Sequence, residues 1–384
     1  MFYYFFESRS SRKDAPVVVW LTGGPGCSGS LALFYENGPF KLTDDLSLKW
    51  NDFGWDKESN LIYIDQPTGT GFSYSTSESD IRATSEEAAV DFYDFLQAFF
   101  KKHPEYAKND FFITGESYAG HYIPAFANEV QKRNKLKQGI QINLKGIAIG
   151  NGLTNPVIQY KADRDYALST KIIDKSEYND LSSSASECQQ AAQACASKNS
   201  SSACTDAYST CNSYFSSILD AAGGDINYYD IRKKCEGSLC YDFSNVEKFL
   251  NQKNVKDALG VKNIEYVSCS SAVQTAMAGD ELKNFAVYIP PLLQNGVKVL
   301  LYAGEFDLIC NWLGNSRWVE DLKWPGYSTA PSTDFIVDNK KCGLTKGKGP
   351  LTFLKVFGAG HLVPMDQPKA SLEMLSRWIQ GKPL

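Results

Sequence analysis

The sequence predicts an α/β fold, a doubly wound and mostly parallel sheet interrupted by a helical insertion. Three observations predict it. Short runs of β-branched and aromatic residues recur along the chain, each ending in a glycine-rich or polar loop. Helical patterns lie between them, which is the rhythm of strand–helix–strand units. The stretch from about 155 to 280 has no comparable run and holds seven of the ten cysteines.

The elements follow in chain order. Residues 17–21 run into Thr22-Gly23-Gly24-Pro25-Gly26, and residues 61–64 into Asp65-Gln66-Pro67-Thr68-Gly69-Thr70-Gly71. Residues 85–102 place Ala88, Phe92, Phe95, Leu96 and Phe99 on one helix face. Residues 111–114 run into Gly115-Glu116-Ser117, and 146–149 into Gly150-Asn151-Gly152. Residues 297–302 lead to Ala303-Gly304-Glu305-Phe306-Asp307, and 351–357 to Gly358-Ala359-Gly360-His361. A last helix is expected over 370–380. Near-continuous apolar strands imply a sheet covered on both faces. Ligands of such sheets sit at the carboxyl ends of the strands.

At 384 residues the chain exceeds the roughly 250–300 at which one core usually stops growing. The division expected is a core of residues 1–154 and 281–384, with 155–280 as a cysteine-rich helical insertion or lid. Within it, Cys188, Cys195, Cys204 and Cys211 are spaced seven, nine and seven apart. Two helical turns separate each flanking pair, so each pair shares a face. A turn at 198–202 would make the helices antiparallel and pair Cys188 with Cys211 and Cys195 with Cys204. Cys235 and Cys240 could close a local loop.

The hydrophobic fraction of 43% and charged fraction of 22% fit a globular protein. A net charge of −5 disfavours nucleic acid as a partner. No apolar run approaches the ~20 residues that span a bilayer, so no membrane partner is expected. Ten cysteines suit an oxidising compartment. MFYYFFESRS, by contrast, is too short an apolar run for a signal peptide and lacks preceding basic residues. An incomplete N-terminus is the expectation. Asn199-Ser200-Ser201 is a glycosylation sequon. Three histidines in no ligand spacing give no reason to expect a metal, and no cofactor is expected.

Ser117 sits in a strand–Gly-x-Ser-x-small–helix pattern, with Gly115 and Ala119 two places to either side. That is the nucleophile elbow of α/β-hydrolases. Taken alone it reads equally well as a helix cap. A serine hydroxyl needs a base. His103 follows a helix and is expected on the surface, His121 is expected to pack within the helix after Ser117, and His361 follows the last strand. Asp307, also after a strand, supplies a carboxylate in the chain order Ser–Asp–His; Glu305 reads as a surface acid. For an oxyanion hole, Tyr118 offers one backbone N–H and Gly24 a second, leaving Gly23 N–H for another contact. A second glycine-rich loop at 68–71 ends another strand of the same sheet, which weighs against reading 22–26 as a bare tight turn.

Together these segments resemble the serine carboxypeptidases, particularly the plant and fungal vacuolar type. The likeness rests on Trp20 through Ser28, Asp65-Gln66-Pro67 with Gly71-Phe72-Ser73-Tyr74, residues 115–120, and Gly150-Asn151-Gly152. It continues in Asp307 with Cys310-Asn311-Trp312 and in Gly360-His361 with Val363-Pro364. It implies Ser117, Asp307 and His361 as a catalytic triad, with Gly24 and Tyr118 at the oxyanion. It implies that Thr22, Gly23, Glu36 and Glu116 receive the substrate's terminal carboxylate. Thr22 stands where most members carry Asn and has one donor fewer. One acid beside a carboxylate must keep its proton, so Glu36 and Glu116 should titrate as a pair and favour acidic pH.

The resemblance further implies a disulfide between Cys27 and Cys269 and a pocket thiol at Cys310. Cys342 falls in a lysine-rich stretch read as a loop, and a Cys310–Cys342 bridge stays open. It implies a secretory-pathway enzyme, vacuolar, lysosome-like or extracellular. Its substrates would be peptides or proteins with a free C-terminus, and it would be a monomer or homodimer. Two alternatives remain: an acyltransferase on the same scaffold using sugar esters, and a non-catalytic homologue. The acyltransferase branch commonly has Asp before the serine, so Glu116 favours the peptidase.

Overall fold

The computed structural model describes residues 1–384 apart from Asn199, Ser238, Lys262 and the side chain of Glu78. The sequon asparagine thus lies outside the described residues. The strands are β1 (Tyr3–Phe6), β2 (Val17–Leu21), β3 (Phe40–Leu42), β4 (Leu48–Trp50), β5 (Asn60–Ile64) and β6 (Phe111–Glu116). They continue as β7 (Leu144–Gly150), β8 (Lys298–Gly304), β9 (Ser332–Val337), β10 (Lys340–Lys348) and β11 (Leu351–Val356).

Among the described residues, nine of these form one sheet in the order β1-β5-β2-β6-β7-β8-β11-β10-β9. The six from β5 to β11 run parallel; β1, β9 and β10 add antiparallel edges. Strand β2 shows why the middle is so apolar. Val17, Val19 and Leu21 enter the core on one face, and Val18 and Trp20 the core on the other. A strand buried on both sides has no solvent face to alternate with.

The helices Ser85–Lys102 and Ala119–Lys135 cover the first face. In the first of these the apolar stripe predicted from spacing is buried, and Thr84 accepts a hydrogen bond from Glu87 N at 3.2 Å as its cap. Pro368–Ile379 covers the second face through Met374, Leu375 and Trp378.

Between β7 and β8 the chain is helical, with Pro156–Ser169, Ser182–Lys198, Ser201–Ala221 and Ser271–Met277 among its elements. Ser182–Lys198 and Ser201–Ala221 form a hairpin whose facing sides are joined by Cys188–Cys211 and Cys195–Cys204. Cys235–Cys240 closes a short loop. Their own small core includes Tyr166, Tyr214 and Ile218.

One segment differs from the sequence-based expectation. Lys340–Lys348 is a strand rather than a loop, because its hairpin with β9 and its pairing to β11 supply the backbone partners that lysine and glycine would not promise. Cys342 is therefore half-buried against the second core, and both it and Cys310 are free, so no bridge joins them. The first residues form the edge strand β1, with Tyr3 packed on Phe95 and Phe99.

Candidate active site

Ser117 follows β6 at the point where the helix starting at Ala119 begins. Its φ is +63°, a left-handed conformation that a side chain other than glycine's adopts only under constraint. Three backbone bonds impose it. Ser117 N donates to Gly150 O at 3.0 Å, and Ser117 O accepts from Gly120 N at 2.9 Å and Leu153 N at 3.0 Å. The small neighbours are obligatory: a Cβ on Gly115 would come 2.1 Å from Leu21 O, and one on Gly120 2.4 Å from Leu153 O.

Asp307 and His361 lie beyond β8 and β11, which pair directly. His361 Nδ1 is 2.8 Å from Asp307 Oδ2, and both side chains are buried. Asp307 Oδ2 also accepts from Asn151 Nδ2 at 2.7 Å, and Oδ1 from Cys310 N at 3.4 Å. With Nδ1–H committed to the carboxylate, Nε2 is the basic face. That Nε2 is buried and has no hydrogen-bond partner among the described residues. Ser117 and His361 line one cavity.

The loop after β2 forms the next wall. Gly23 packs against Ser117 so closely that a Cβ there would meet Tyr118 N at 2.5 Å and Ser117 Cβ at 2.7 Å. Neither Gly24 N–H nor Tyr118 N–H donates within the protein among the described residues. Cys27 in this loop is bonded to Cys269, and Ser28 N and Ser270 N add backbone bonds at 2.9 Å to Ser268 O and Gly26 O. Tyr118 is anchored from behind, its hydroxyl donating to Asp280 Oδ2 at 3.0 Å.

Thr22, Glu36 and Glu116 line the same cavity. Each has a buried side-chain oxygen without a partner among the described residues: Thr22 Oγ1, Glu36 Oε2 and Glu116 Oε2. Burial pushes Glu36 up to about 8, despite a hydrogen bond from Glu116 that favours its charge. Burial and then the neighbouring Glu36 charge hold Glu116 well above the carboxylate range. Burial thus holds both acids toward their protonated, neutral forms.

The remaining candidates fall as follows. His121 is buried within its helix, with Nδ1 2.5 Å from Leu153 O and Nε2 3.0 Å from Glu281 O. His103 is half-buried rather than exposed, because its ring packs at a tilt against Phe99, with centroids 4.8 Å apart. Glu305 pairs with Lys355 at 3.1 Å. The loop at 68–71 does not reach the cavity. It wraps Asp65, whose carboxylate accepts from Phe72 N at 2.8 Å and from Ser28 Oγ at 2.5 Å, so its glycines serve a tight turn.

Sequence reasoning gave no role to Asn151 or to the aromatic residues between β7 and β8. Asn151 sits in a motif already noted, but its grip on Asp307 needs the β7–β8 pairing. Tyr229 lies 4.9 Å from the His361 ring and accepts His361 N–H on its carbonyl at 2.7 Å. Tyr229, Tyr241 and Phe243 line the cavity with Ser117. Asp307, Cys310 and His361 have donor atoms within 4.8 Å of one another. One of those contacts is already a hydrogen bond, and burial pushes the Cys310 thiol up, so the set is a poor metal binder.

A strained serine at the end of an inner parallel strand, with carboxylate and imidazole after later strands, is the architecture of the α/β-hydrolases. The comparisons with known proteins narrow this. The serine carboxypeptidase family's sequence profile matches residues 1–381. Serine carboxypeptidase-like 48 of Arabidopsis thaliana is 60% identical over 386 residues, covering 100% of this chain and 75% of that one. Serine carboxypeptidase 3 of Oryza sativa subsp. japonica is 59% identical over 385 residues, covering 100% and 76%. Among solved structures, KEX1(Δ)p, a prohormone-processing carboxypeptidase from Saccharomyces cerevisiae, matches with a TM-score of 0.89. It is 30% identical, over 99% of this chain and 86% of that one. This chain belongs to the serine carboxypeptidase family. It is a hydrolase of the serine-type carboxypeptidase class, with peptides as substrates.

Proposed function

We propose that this enzyme removes the last residue of peptides and proteins at acidic pH, through an acyl-enzyme on Ser117. One observation carries the reading. Buried, unpartnered polar atoms of Thr22, Glu36, Glu116 and His361 belong to residues lining one cavity with Ser117. Each such atom costs about 1–3 kcal/mol when left unsatisfied. A peptide's terminal carboxylate and scissile amide would satisfy them.

In this mechanism Ser117 Oγ attacks the last peptide carbonyl while His361 Nε2 takes its proton. Asp307 stabilises the imidazolium. Gly24 and Tyr118 N–H groups receive the oxyanion. The C–N bond breaks, the leaving amine takes the proton from His361, and water then releases the acyl group by the same steps. Glu116 donates its proton to the substrate carboxylate, with Glu36, Gly23 and Thr22 beside it. Because both acids have raised pKa values, they stay neutral enough to do this on the acid side, and binding weakens as pH rises toward 8.

We also propose that residues 155–280 act as a lid over this cleft, since Tyr229, Tyr241 and Phe243 line it. Four disulfides favour an oxidising compartment, secretory, vacuolar or extracellular. No helix among the described residues is long and apolar enough to cross a membrane.

The test compares a blocked dipeptide with its C-terminal amide at about pH 5. The free acid should be cleaved at least ~10-fold faster, the worth of roughly one charged hydrogen bond. Equal rates would contradict carboxylate recognition.

A further inference from the structure

The cleft has a second arm. It shares Gly24, Ser117 and Tyr229 with the first but runs away from Glu36 and Glu116, which do not line it. Resting on the proposed function, the first arm receives the leaving residue, so the second receives the residue on the acyl side of the scissile bond.

This second arm is apolar along Phe215 and Ile309 and acidic at Glu281 and Asp163, and it contains no Lys, Arg or His among its lining residues. Asp163 is 3% exposed; its Oδ1 accepts from Asn311 Nδ2 at 2.9 Å, and its Oδ2 has no partner among the described residues. Half-buried Glu281 accepts at Oε1 from the Tyr160 hydroxyl at 3.2 Å. Two carboxyl groups thus share an apolar arm with no cation to offset them. A lysine or arginine side chain matches that arrangement, with methylenes against the apolar wall and the charged head at the acids.

We propose that this arm selects peptides with Lys or Arg at the penultimate position, and that Glu281 is the specificity-determining residue. Asp163 is held well above the carboxylate range by burial, so it stays protonated and acts as a donor or acceptor. Burial pushes Glu281 up to about 7, against the Tyr160 hydrogen bond that favours its charge. Its charge therefore develops as pH rises toward 7. The groups facing it are Tyr160 and Asp163 of the helix Pro156–Ser169, Tyr208 of Ser201–Ala221, Tyr118 just before Ala119–Lys135 and His121 within it, and the Cys310 thiol. The neighbouring Lys283 is occupied by Asp280 at 3.0 Å.

The experiment uses two blocked dipeptides ending in the same phenylalanine, one with lysine before it and one with norleucine. Sharing the leaving residue cancels any effect of the Glu36–Glu116 pair in the ratio of kcat/KM values. The lysine/norleucine ratio should rise about tenfold from pH 5 to pH 7.5, the size of one charge-assisted hydrogen bond, and exceed one at pH 7.5. Glu281→Gln should flatten that rise and lower the ratio at pH 7.5 about tenfold. Should Glu281→Gln fold poorly, the wild-type pH profile alone decides. Norleucine turnover with a ratio below one throughout, or a Glu281→Gln ratio within twofold of wild type, would overturn this proposal alone. Turnover of neither substrate would overturn the proposed function and this inference with it.

Discussion

Asn151 Nδ2 and His361 Nδ1 reach the same atom, Asp307 Oδ2, at 2.7 and 2.8 Å. The carboxylate is thereby fixed from the β7 side while it orients the imidazole from the other. Asn151 Oδ1 also accepts from Gly304 N at 3.2 Å, tying the asparagine to the end of β8.

Asn151→Gly should therefore lower kcat about 10-fold or more while changing KM little. Glycine is the right probe because Asn151 has a φ of +41°, which alanine would strain. Losing one strong orienting hydrogen bond costs about 1.5–3 kcal/mol. Steady-state kinetics on a blocked dipeptide, with a thermal melt to show intact folding, check this. A kcat within twofold of wild type would contradict the orienting role.

Stability should fall as pH rises. Glu36, Glu116, Glu281 and Asp163 are all held above their ordinary values, with burial the first cause in each. An acid with a raised folded pKa binds its proton more tightly in the folded state. Its contribution is full below the unfolded pKa, about 4, and is lost as pH rises through the folded values, near 7 for Glu281 and 8 for Glu36. Melting temperature should thus be higher at pH 5 than at pH 8. Glu116→Gln should shrink the difference. A melting temperature that is flat or rises over this range would contradict the assignment.

Cys27–Cys269 closes a loop with a sequence separation of 242 residues and anchors the Gly23-Gly24 turn. Replacing both cysteines with serine should cost about 2–5 kcal/mol of stability. It should also lower kcat, because the turn that flanks Ser117 loses its tether. Denaturant melts and kinetics on the double variant measure the two effects separately. Unchanged kcat in the folded variant would show that the backbone bonds to Ser268 and Ser270 hold the turn alone.

Much of the sheet was legible because burial on both faces leaves a simple signature. Residues 17–21 are a strand at the bounds their β-branched run suggests, and 85–102 a helix at the bounds its cap and apolar stripe suggest. Strands β9 and β10 were not legible. KKCGLTKGK carries no apolar alternation, and its strand character comes from partners rather than from its own side chains. The three residues Ser117, Asp307 and His361 could be picked out because each follows its own strand. Asn151 and Tyr229 could not be given roles, since one acts through strand pairing and the other through the folding back of the segment between β7 and β8. The glycines at 68–71 serve a turn around Asp65, a demand that the sequence alone does not separate from a loop around a ligand.

The most direct measurement is mass spectrometry after treatment of the folded enzyme with a fluorophosphonate. The account predicts one adduct, on Ser117, with release of C-terminal amino acids lost in proportion to labelling and absent in Ser117→Ala. Peptide release that persists in Ser117→Ala, or an active enzyme in which Ser117 stays unlabelled, would contradict it.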